Sequence, residues 1–142
     1  MMTIKQKLEW LRKYVDPNLP DIYAIKDFIP NGCGPETWRS KPLRFLLNWL
    51  GWGVDLNPCG DLHDYRFWCG GSWDDFQTAN EELRRSILAW LQCVSRWHVL
   101  LRWRIRRRAE EYHWAVCNFG DEHFNFRAMA GGFNAFSRPK AQ

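Results

Sequence analysis

The run from Ser72 to Val116 constrains the fold more than any other part of the chain. The Ser72 hydroxyl can cap a helix, and Asp75, three residues on, completes a capping-box pattern. Phe76, Ala79, Leu83, Ile87 and Trp90 then recur at helical spacing and form one apolar stripe. This helix is expected to run to about Ser95. The next is expected from about Trp97 to Val116, stopped by Asn118 and Gly120. Two long helices joined so closely are expected to pack antiparallel. The fold class that follows is mainly α.

Shorter elements surround this pair. Ile4, Leu8, Leu11 and Val15 predict a helix over 3–15, with Lys5, Lys7, Arg12 and Lys13 opposite. Thr3 can cap it, and Pro17 and Pro20 end it. Residues 16–42 hold several Pro and Gly and read as a long loop, with a short strand or turn at Ile22–Phe28. Loops this long in a compact domain are often functional. A short helix is expected over 43–50, closed by Gly51 and Gly53. Another is expected from about Pro58 to Cys69. Pro is harmless in a first turn, and Gly70-Gly71 ends the helix. The tail after Gly120 reads as irregular. A chain of 142 residues is expected to form a single domain over 1–142, with its functional core at about 28–95.

Composition narrows the function classes. No stretch reaches the roughly 18 to 20 apolar residues of a membrane span. The first residues enter a charged amphipathic pattern with no apolar run, so no secretory signal is read there and a cytoplasmic start is expected. Ten Trp in a chain this short imply large buried rings, or rings kept at an interface. Five Cys allow at most two disulfides and leave one thiol over.

Chemistry concentrates at Asn57–Gly71. His63 titrates near neutrality and can take a proton from water. Asp64 offers the hard oxygens that suit Ca²⁺. The bland alternative is a surface or capping pair. Upstream, Asn31-Gly32-Cys33-Gly34-Pro35 places two glycines around a cysteine, so carbonyls can converge on a cation or amides on an anion; a plain turn is the alternative. A bridge between Cys33 and Cys59 would pin this loop over the helix, although a cytoplasmic compartment opposes a stable disulfide. Cys69 and Cys93 are a second candidate bridge. Cys69, Cys93 and Cys117 otherwise read as small buried hydrophobes. A zinc site from Cys33, Cys59, His63 and Cys69 lacks any Cys-x-x-Cys pair.

These stretches together resemble the phospholipase A2 superfamily, closest to its small bacterial and bacteriophage members. The shared features are Asn31-Gly32-Cys33-Gly34-Pro35, a helix with Cys59, His63, Asp64 and Tyr65, then Gly70-Gly71, then a helix with Ala79-Asn80. The resemblance implies a phospholipase A2-like fold with two long facing helices. It implies calcium-dependent hydrolysis of a glycerophospholipid acyl ester. His63 would be the general base, and Asp64, Asn31, Gly32 and Gly34 would supply oxygens to Ca²⁺. The chain departs from the family pattern twice. Gly60 stands where relatives carry a cysteine, three residues before the histidine, with Cys59 four before. Asn80 stands where the facing helix of relatives carries an Asp that orients the His. The amide implies weak activity. The alternative is a non-catalytic member that binds a membrane or a protein, phage-encoded and virion-associated or released on lysis.

One further stretch calls for a partner. From Arg96 to Arg108, six Arg interleave with Trp97 and Trp103. Arg attracts phosphate and Trp favours lipid headgroups, so Arg96, Trp97, Arg102, Trp103, Arg106 and Arg107 form a candidate face for a phospholipid membrane surface. Nucleic acid is the less favoured partner. A buried apolar stripe with a solvated Arg face is the bland alternative.

Overall fold

The computed structural model describes residues 2–30 and 54–125. Among them are four α-helices: α1 (Ile4–Tyr14), α2 (Asn57–Cys69), α3 (Trp73–Ala89) and α4 (Val99–Phe119). No strand occurs among the described residues. The chain is mainly helical, as the periodicity predicts. The helix expected over 43–50 lies outside the described residues.

Local chemistry accounts for the boundaries. The Gln6 N–H donates to the Thr3 hydroxyl, and Gln6 Oε1 accepts from the Thr3 N–H, closing a capping box at the start of α1. Asp75 and Ser72 close the same motif ahead of α3. At Ile22–Ala24 the chain makes one 3₁₀ turn, capped by Asp21, where a short strand or turn was expected. The α3 path ends in a second 3₁₀ turn at Trp90–Gln92, short of Ser95. Arg102 helps close that end. Its guanidinium donates to the carbonyls of Leu91 and Val94 at 2.7 and 2.9 Å.

The Gly-Gly stop has a steric cause. Gly70 and Gly71 have φ of +64° and +147°, where side chains are strained. A Cβ on Gly70 would also collide with the Asn125 carbonyl. The close approach is used: the Gly71 N–H donates to Asn125 O at 3.1 Å, and the Asn125 N–H donates to Phe67 O at 3.2 Å. The tail beyond Gly120 is therefore better ordered, as far as Asn125, than its composition suggests. It forms a 3₁₀ turn at Asp121–His123 and then buries Phe124 edge-on against Phe67 and Phe76.

Helices α3 and α4 run antiparallel. Arg84 pairs with Glu110, and Glu81 with His113 one turn further on. Leu11, Leu19, Ile22, Leu62, Ile87 and Ile105 are almost wholly buried and tie all four helices and the 3₁₀ turn into one core. Each such side chain stabilises by about 1.5–3 kcal/mol. Trp10 of α1 stacks on Trp90 at 4.6 Å. Trp97, Trp103 and Trp114 lie on the surface instead. No helix among the described residues is long and apolar enough to cross a membrane.

Helix α2 runs through the middle of this assembly. Every residue from Pro58 to His63 is buried, whatever its polarity. Asp61 is kept in the interior by the Lys7 ammonium at 2.7 Å and the Tyr23 hydroxyl at 2.8 Å. Buried charge requires such partners.

Candidate active site

The facing of α2 and α3 brings His63 to Asn80. The imidazole Nε2 lies 3.1 Å from Asn80 Oδ1, and both side chains are buried. An amide oxygen only accepts, so Nε2 donates its proton to it. The Nδ1 lone pair is then the one that can accept a proton. The ring also lies 4.0 Å from the Phe67 ring. Burial pushes the His63 pKa down to about 4, against smaller opposing effects of the Asn80 hydrogen bond and the Glu82 charge. The imidazole is neutral at physiological pH.

Asn80 has a second neighbour. Its amide nitrogen is buried without a hydrogen bond of ordinary geometry. The sulfur of Cys117 on α4 is nonetheless close enough for the amide to lower that thiol's pKa, although burial, the larger effect, raises it. Cys117 Sγ in turn lies 3.5 Å from His113 Nε2. Cys117 thus adjoins Asn80 from α4, a neighbour no sequence pattern signals.

The structure also places the carboxylates that stand near Asn80 in the chain. Asp75 is spent on the Ser72 cap. Glu81 pairs with Arg84 and approaches His113. The charge of Glu82 reaches His63, but Arg66 grips it with two hydrogen bonds of 2.7 and 3.0 Å and holds Asp16 as well. This clamp joins α2 to α3 beside the His63–Asn80 contact. Its charge is directed to Arg66, which leaves the amide as the described partner of the ring.

Asp64, next along α2, is half-buried. Its carboxylate is the donor type Ca²⁺ takes. Asn31, Gly32 and Gly34, expected to complete the ion site, lie outside the described residues. Among the described residues no three His, Cys, Asp or Glu side chains form a metal-binding group.

The four cysteines among the described residues are free thiols. Cys59 is a free, wholly buried thiol, pushed up to about 12 by burial, and so is inert. Its expected partner, Cys33, lies outside the described residues. Cys69 and Cys93 are also free, so the bridge considered between them is not formed.

The basic and aromatic stretch divides. Trp97 and Trp103 are exposed, with the guanidinium of Arg96 5.0 Å from the Trp97 ring and that of Arg107 5.5 Å from the Trp103 ring. Arg106 is exposed, and Arg107 also pairs with Glu111. Arg102 is corrected: it turns inward onto the Leu91 and Val94 carbonyls and belongs to the scaffold.

The Asp61–Lys7–Tyr23 network had no signal in the chain. Lys7 reads as one more cation on the polar face of α1, and Lys7 and Asp61 are 54 positions apart. Comparison with protein-family models, characterised proteins and solved structures returns no match for this chain.

Proposed function

We propose that the chain is a phospholipase A2-type hydrolase that uses His63 to draw a proton from water attacking a glycerophospholipid acyl ester. The observation that supports this is the His63–Asn80 contact across α2 and α3. It holds a neutral imidazole with Nδ1 as the acceptor, the state a general base needs before reaction. Phe67 packs 4.0 Å from the ring and steadies its orientation. Asp64, with backbone oxygens near Gly32 and Gly34, would hold Ca²⁺. That ion would supply Lewis-acid polarisation of the ester carbonyl and charge stabilisation for the oxyanion.

The same contact limits the rate. An imidazole with a pKa of about 4 is a weak base, and the Asn80 amide cannot stabilise the imidazolium by charge. The expected activity is slow. A second reading rests on this specific point: a non-catalytic phospholipase A2-like protein that keeps the framework and binds a membrane or protein. Hydrolysis of a monomeric short-chain phosphatidylcholine separates the two. The hydrolase reading expects slow turnover with Ca²⁺, lost in EDTA and lost in His63→Gln. Turnover that survives His63→Gln would contradict it, and no turnover under any condition would favour the second reading.

A further inference from the structure

Helix α4 presents an unusual outer face. Ile105 and Ala109 mark its inner side, buried against the rest of the molecule. Trp103 and Arg107 lie two positions either side of Ile105, about 200° around the helix, and so face outward. Leu100, Trp103 and Arg107 follow at helical spacing, with Val99 and Arg106 beside them. Trp97 is 79 % exposed, Val99 71 %, Leu100 57 % and Trp103 50 %. Large apolar side chains grouped in this way mark an interaction surface.

The charge of this surface is equally marked. Arg106, Arg107 and Arg108 are exposed, and the first turn of α4 holds no acidic residue. Glu111 offsets part of the charge through Arg107 and Arg108.

We propose that this end of α4 docks on an anionic phospholipid bilayer. Two features favour a bilayer over other anionic partners. The indoles and aliphatics stand among the guanidiniums, as at a headgroup boundary where apolar surface enters and cations stay in the phosphate layer. Arg96 and Arg107 lie over the Trp97 and Trp103 rings, so each cation reaches the headgroups together with its ring. A nucleic-acid surface would gain nothing from exposed Val99 and Leu100. The patch is not the mouth of the His63 site. The antiparallel pairing puts Asn80 beside Cys117, and Trp103 lies fourteen residues back along α4, roughly 20 Å away at 1.5 Å per residue. The surface acts as a tether, and the inference deepens the phospholipase reading by naming the lipid class that holds the protein.

The test uses vesicles of ether-linked phospholipid, which offer no acyl ester, in EDTA, so that binding is measured apart from hydrolysis. Flotation with ether-linked phosphatidylglycerol is expected to carry the full chain at low salt, and ether-linked phosphatidylcholine is not. Trp97→Ser/Trp103→Ser and Arg106→Gln/Arg107→Gln/Arg108→Gln should each weaken binding at least tenfold with helicity unchanged. Raising the salt to 0.5 M should release the wild type. Equal binding to neutral vesicles, no binding to either, variants that bind like the wild type, or tighter binding to duplex DNA at the same salt would each overturn the proposal. Failure here with intact Ca²⁺-dependent turnover of the monomeric ester would remove the tether and leave the hydrolase reading standing.

Discussion

Asp61 and His63 lie two residues apart on α2, both almost fully buried, and the molecule treats them in opposite ways. Asp61 receives a cation and a hydroxyl, Lys7 at 2.7 Å and Tyr23 at 2.8 Å. His63 receives one neutral amide at 3.1 Å, while the carboxylate whose charge reaches it is gripped by Arg66. One side of the helix is built to keep a charge inside. The other is built to keep a titratable ring uncharged. Stability resides in the first environment, and the proposed chemistry in the second.

The sharpest way to break the Asp61 side is Lys7→Met. It leaves an uncompensated carboxylate in the core and should cost about 3–5 kcal/mol in urea unfolding. Lys7→Met/Asp61→Leu should recover most of that loss, because the buried charge is gone. A single variant as stable as the wild type would mean that Asp61 reaches water some other way. The Tyr23 hydroxyl belongs to the same network, and burial followed by the Asp61 charge raises its pKa.

The His63 side should show itself through pH. Its folded pKa of about 4 is below the ordinary 6.5, so between these values the unfolded chain binds the extra proton. Stability is then full above about pH 6.5 and falls as the pH drops towards 4, by on the order of 3 kcal/mol. Unfolding free energies at pH 7 and pH 4.5 measure this. His63→Gln should flatten the difference, and an equally steep loss in that variant would assign it to other groups.

The smallest effect should come from the frame that carries Asn80. Ser72→Ala removes the cap of α3 and should cost about 1 kcal/mol. His63 should titrate as before, because the cap does not touch the ring. A shift of that titration would couple the start of α3 to the site.

Much of the frame was legible in the chain because its signals are local. Thr3 with Gln6 and Ser72 with Asp75 set two helix starts through contacts three residues apart. Gly70 and Gly71 stop α2 through their own backbone angles. The stripe from Phe76 to Ile87 buries as its period predicts. Asn80, which the motif likeness pairs with His63, does lie against it. What stayed hidden was set by distant packing. The start of α2 is buried all round, so no amphipathic stripe revealed which element it packs against. Lys7 and Arg102 read as surface cations, yet one partners a buried acid and the other closes the end of α3. Cys117 looked like filler and lies next to Asn80. The pairing of Glu82 with Arg66 decided which carboxylate was available to His63, and such competition between charges depends on three dimensions.

On the proposed reading, His63 is a buried neutral base held by an amide where a carboxylate would make it stronger. NMR titration of the His63 ring in the wild type and in Asn80→Asp tests it directly. The wild-type ring should stay neutral down to about pH 4. In Asn80→Asp a carboxylate takes the place of the amide, so the ring pKa should rise by at least about one unit, with ester turnover rising alongside it. A wild-type ring that titrates near 6.5 and does not respond to Asn80→Asp would contradict the account.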